Sequence, residues 1–365
     1  MRYLVLLSLF AASAALAGDP PPAGVDALPA ADVTKAIAAL KESFVRPDAL
    51  SDSEAARATL QGFLDRLAPE ATLVTGTAGV ESASPFYSEI CPGKTGYLRL
   101  GAMTADNIAK ARESLKDWSG KSVGAVVLDL RGTPRSSDYD AGADLARLFC
   151  AKGTEMFSLA TAQETNIKPA AVNAGASPSP AASAAKTYSA GTDPAFSGVL
   201  IVLVDSQTSE VCEAVAASLQ KCAKALVVGD QTVGRAFEYR EYPLTGATLR
   251  VAIARVILPD GKEPGEEGLK PDIDVPQGPA PKEALMQSVS AKGVGSVIEE
   301  EDLPHLNEAA LVAGSNPEVD ELEAEAAGKK PEERLIDRQL QRALDLVTSI
   351  SIYQAKKETT PIPGE

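Results

Sequence analysis

Histidine is almost missing from this chain: His305 is the only one in 365 residues. A Ser-His-Asp relay in the body of the chain is thereby excluded. No C-x-x-C occurs and His305 is remote from the four cysteines, so neither a metal site nor a cofactor is expected. Basic residues are also short, 35 against 50 acidic ones, for a net charge of −15. That balance argues against nucleic acid or an anionic membrane as partner, since both require clustered Lys and Arg. Long apolar runs are lacking too: the stretch Leu4–Ala12 is too short to span a bilayer.

What is present begins with a short basic start (Arg2), that apolar run and a small-x-small exit at Ala15-Leu16-Ala17. This reads as a secretory signal cleaved after Ala17, giving an exported, periplasmic or secreted protein. Residues 18–30 are Pro- and Ala-rich and read as a mobile leader. In an oxidising setting Cys91, Cys150, Cys212 and Cys222 allow three pairings, and the sequence does not choose among them. Cys212 and Cys222 fall on one predicted helix, about 15 Å apart, too far to bridge each other.

Apolar stripes predict helices near Asp32–Val45 and Asp52–Leu67, the second opened by a Ser51-x-x-Glu54 capping box. With a weakly patterned connector they form an N-terminal region over 31–95. A core follows over 96–280. GYLRLGAM (Gly96–Met103) alternates as a strand, and SVGAVVLDL (Ser122–Leu130) is apolar enough to be buried on both faces. Residues 166–195 read as a low-complexity surface excursion, and Thr248–Leu258 with Pro259-Asp260-Gly261 as the start of a hairpin. Residues 281–365 are acidic and helical, with Leu335, Leu340, Leu344 and Val347 spaced for docking. Strands alternating with helices give an α/β core built from βαβ crossovers.

The densest pattern lies at Gly198–Tyr239: a buried strand, a polar turn, a helix, a second buried strand and a glycine-marked loop. A turn that follows a buried strand and opens a helix is where such folds expose reactive groups. Ser206, Ser209 and Glu210 all sit in that turn.

GYLRLGAM, VVLDLRGTP, the VDSQTSEVCEAVAASLQ block, VVGDQTVGRA, GLKPDIDVP, EEDLPHL and DRQLQRALDLV occur in that order. Together they resemble the carboxyl-terminal processing (tail-specific) peptidases over about Gly96–Val347. The resemblance implies a crotonase-like α/β core with helical attachments, and peptide cleavage by a Ser–Lys dyad in which a neutral Lys deprotonates the Ser. Laid on without gaps, the family motif puts its Glu at Glu213 and its nucleophile at Glu210. Its Lys falls at Arg235, the Gln four residues later at Tyr239, and the Gly-Gly of the oxyanion-hole turn at Arg135-Ser136, beside Gly132 and Pro134.

Those exchanges remove the chemistry as the family performs it. A carboxylate cannot replace a Ser alkoxide there, and a guanidinium keeps its proton. A Glu210–Arg235 ion pair filling the former active site is therefore expected, in a pseudopeptidase that binds a peptide or unfolded segment or acts as a scaffold. The competing expectation is an active serine endopeptidase using Ser209, although a Ser at a helix start is more often a cap. A structural envelope protein that forms homo-oligomers through its terminal helices is the third. The peptide-binding PDZ domain of many relatives has no room in Ala68–Thr95, since a folded domain needs about 50 residues.

Overall fold

The computed structural model describes residues 28–43, 45, 51–75, 84–161, 183–264, 267–278, 280–299 and 335–359. The predicted signal segment, most of the excursion and His305 lie outside them. The chain divides into two compact units, Met1–Arg66 and Leu67–Glu365. The first holds α1 (Ala30–Ser43) and most of α2 (Asp52–Leu67). Neither helix buries a residue, so the predicted stripes, Ile37, Leu40, Leu60 and Phe63 among them, are exposed.

The second unit is built on a six-stranded sheet ordered β2 (Tyr87–Cys91), β3 (Thr95–Arg99), β4 (Ala125–Asp129), β7 (Val199–Val204), β8 (Leu226–Gly229), β11 (Ile273–Asp274), numbered by place in the chain. All neighbours pair in parallel except β2 with β3. Parallel pairing demands crossovers, and α3 (Ala105–Ser119), α4 (Tyr139–Ala146) and α5 (Val211–Cys222) lie in the crossover connections. The central strand β7 is apolar throughout because both its faces are covered. Along β7, Leu200, Val202 and Val204 join one core with α3, α4 and α5, while Ile201 and Leu203 join another. That second core takes α6 (Lys282–Lys292) and α7 (Arg338–Thr359), where Leu340 and Val347 dock as their spacing predicts; Leu335 and Leu344 are partly buried against it, and Ala343 adds a contact the spacing did not name. Among the described residues no helix is long and apolar enough to cross a membrane.

A second, antiparallel sheet runs β1 (Ala71–Thr75), β10 (Ala247–Ile257), β5 (Glu155–Thr161), β6 (Ser183–Ser189), with β9 (Phe237–Leu244) also paired to β10. Three expectations are corrected here. The connector before residue 96 is not merely a link, because β1 and β2 belong to the two sheets. Both are short and only half buried, so their apolar pattern is faint. The excursion ends in a true strand, β6, held by backbone pairing to β5, with Tyr188 buried. The hairpin closes before β10 rather than after it, at the β9–β10 turn, where Gly246 takes φ +78. The Pro259-Asp260-Gly261 turn folds back only as far as the Leu258–Lys262 backbone bond.

Candidate active site

Two turns at the carboxyl ends of β4 and β7 face each other across a cleft of about 520 Å³. The first, Arg131–Ser136, is fixed at its base by a buried ionic network. The Arg131 guanidinium donates to both oxygens of Asp129 (3.0 and 2.7 Å) and to both oxygens of Asp337 (2.9 and 2.8 Å). Tyr97 donates to Asp129 from behind at 2.8 Å. Such two-pronged pairing is what makes a buried guanidinium tolerable. Gly132 then takes φ +70, and Gly132, Pro134 and Arg135 line the cleft; Ser136 instead turns its carbonyl to the Val211 N–H that opens α5.

The second turn is shaped by Asp205. Its carboxylate accepts from the backbone N–H of Gln207 (3.0 Å) and Thr208 (2.9 Å) and from the Lys282 ammonium (2.7 Å). Burial pushes this carboxyl up, but Lys282 and the turn donors outweigh it and hold it below the usual aspartate range. Ser206, Gln207, Thr208 and Ser209 line the cleft, and Lys282 reaches it from α6.

Glu210, the residue before α5, adopts φ 53, ψ −123. A non-glycine residue in that region carries about 1–3 kcal/mol of backbone strain, and such strain clusters at functional turns. The Glu210 side chain is 1% exposed and is not part of the cleft lining. Its carboxylate accepts from Arg250 Nη2 at 2.8 Å and from Ser137 Oγ at 3.2 Å.

The expected Glu210–Arg235 pair is thus not formed; the partner is Arg250, on β10. A carboxylate this deeply buried needs a cation already inside. Arg250 meets that need, being 13% exposed and stacked over the Tyr239 ring at 4.4 Å. Tyr239 itself is buried, donating its N–H to Ser137 Oγ (3.3 Å) and its hydroxyl to the Pro69 carbonyl (3.2 Å). Arg235 stands in the loop after β8 and lines the cleft without an ion pair among the described residues.

That loop is placed by Glu213. Its buried carboxylate accepts from the backbone N–H of Gly234 and of Arg235, each at 2.7 Å, and from the Thr232 hydroxyl. Burial raises this carboxyl above the usual range, against the pull of those donors. The structure therefore brings Ser209, Gly132, Pro134, Arg135 and Arg235 to one cleft and places Glu210 and Tyr239 together beneath it. Sequence reasoning missed Arg250, Ser137 and Lys282. Arg250 left a trace as one of two arginines, with Arg255, inside a largely apolar strand; the other two left none, because only the fold brings them near. Among the described residues, no three His, Cys, Asp or Glu side chains gather as metal ligands.

Comparison with known proteins adds an independent line. The family model described as Peptidase family S41 matches residues 94–275, which contain both turns and the loop after β8. A carboxyl-terminal-processing protease of Picosynechococcus is 28% identical over 187 residues, covering 51% of this chain and 40% of its own length. The chloroplastic carboxyl-terminal-processing peptidase 2 of Arabidopsis thaliana is 28% identical over 222 residues, or 58% of this chain and 39% of its own. The chain thus spans about two fifths of the length of these relatives. Among solved structures, a photosystem II D1 C-terminal processing protease aligns at 20% identity and a TM-score of 0.41, covering 61% of this chain and 52% of that one.

Proposed function

Because the chain belongs to peptidase family S41 through residues 94–275, we propose that it is an exported, PDZ-less member that has lost peptide-bond cleavage and keeps the cleft to hold a peptide or unfolded protein segment. One observation carries this: the residue in the strained position that opens α5 is Glu210, buried and paired to Arg250. A carboxylate so held offers no alkoxide to a peptide carbonyl. The lysine on the cleft is engaged elsewhere: Lys282 Nζ donates to the Asp205 carboxylate and to Gln207 Oε1.

A second reading, an active endopeptidase with Ser209 as nucleophile, is favoured by Ser209 and Lys282 lining the same cleft. The two readings part in one experiment. Purified protein and a Ser209→Ala variant are each incubated with unfolded polypeptides. No cleavage by either is expected, together with retention of labelled peptide by both. Cleavage by the parent that vanishes in Ser209→Ala overturns the silent reading, and absence of peptide binding overturns the binding one.

A further inference from the structure

Cys150 and Cys222 lie in contact far from the cleft. Cys150 is fully buried in the turn that ends α4, its N–H bonded to the Ala146 carbonyl. Cys222 is the last residue of α5, half-exposed and packed against the core that contains Cys150. The Cys222 thiol donates to the Glu155 carbonyl at 3.2 Å, where β5 starts just after the Ala151–Thr154 turn that follows Cys150, and this brings the two thiols within range of each other. The other two cysteines are placed elsewhere: Cys91 lies in the core across the sheet, and Cys212 near the opposite end of α5.

We propose that Cys150 and Cys222 form a disulfide by exchange with a small-molecule disulfide, and that this bond staples α4 to α5. Cys222, the exposed partner, attacks one sulfur of oxidised glutathione as its thiolate, forming a mixed disulfide and releasing one glutathione thiolate. Cys150 then gives up its proton and attacks the Cys222 sulfur, expelling the second glutathione. In sum, two protein thiols are oxidised to one disulfide and one glutathione disulfide is reduced to two thiols. The hydrogen bond donated by Cys150 holds the Cys222 thiol below the usual range, which suits it for the first attack.

The location gives the bond a role. α4 follows the Arg131–Ser136 turn and α5 follows the Asp205–Glu210 turn, so the two walls of the cleft are the leading ends of the helices whose trailing ends carry these cysteines. The helices already meet closely at Gly142, where an added methyl would stand 2.2 Å from Val211. A covalent tie at the other end fixes their remaining freedom. This inference is independent of whether the cleft cuts or only binds peptides.

The test treats the folded full chain with oxidised glutathione, then unfolds it and alkylates all free thiols. Two of the four cysteines should be protected. A non-reducing digest should give one species linking the Cys150 and Cys222 peptides. Cys150→Ser should stop at the glutathione adduct on Cys222, and Cys222→Ser should form neither adduct nor link. The oxidised parent should melt about 5 °C higher than the reduced one, reversibly with dithiothreitol. Four alkylated cysteines after treatment, or a link that includes Cys91 or Cys212, would overturn the proposal.

Discussion

At the scale of single residues, the strain at Glu210 and the depth of its ion pair decide what substitution does. Arg250 is 13% exposed and Glu210 1%, so screening by water is small, and removing Glu210 leaves Arg250 with its ion pair to the exposed Glu241 at 3.2 Å. Glu210→Ala should cost about 1–3 kcal/mol, read as a lowered urea midpoint. Arg235, which lines the cleft and has no ion pair among the described residues, behaves differently: Arg235→Ala should leave the urea midpoint within about 0.5 kcal/mol of the parent. On the binding reading it should weaken peptide retention about tenfold, as loss of one charged contact does. The position of Glu210 was legible in the sequence because Glu213, Gly229 and Gly234 fell into register around it. Its partner was not, because Arg250 lies forty residues away on a strand whose pairing to the site depends on the antiparallel sheet.

At the scale of elements, α4 and α5 are held together by the absence of a side chain. Gly142 permits contact with Val211, and Gly142→Ala should force the helices apart at a cost of about 1–3 kcal/mol. A fluorescence or circular dichroism melt would show it as a lowered midpoint. Gly124→Ala, at a glycine with open space around it, is the control expected to change little. The βαβ core could be read in advance because strands buried on both faces are continuously apolar, as VLIVLV is and as AVVLD is up to Asp129. The peripheral strands β1, β2 and β6 could not. Each is short or exposed, its apolar alternation is faint, and its place is set by backbone pairing that any sequence can supply.

At the scale of the larger unit, charge buried between distant segments sets the response to acid. Asp337 is pushed up by burial, but Arg131 and the helix-start N–H groups outweigh that and hold it below the ordinary aspartate value. A carboxyl depressed on folding contributes stability that is complete above the unfolded value, about 3.9, and is lost as pH falls through the folded one. Asp205 acts in the same direction. Glu213, raised by burial, acts in the other: it subtracts stability at neutral pH and returns it as pH falls through its folded value. Two depressed groups against one raised group predict a net loss of stability below about pH 4. Asp337→Asn should be less stable at neutral pH by about 3 kcal/mol and should lose less on acidification, measured by urea unfolding across that range.

The Arg131–Asp337 bond joins residues 206 apart in sequence. During synthesis, Arg131 emerges long before the carboxylate that completes its shell, and the turn it anchors has only Asp129 to hold it. The full set of partners for Arg131 therefore waits for the segment that opens the closing helix. On the peptide-binding reading, capture of the chain's own unfolded segments would be deferred until then.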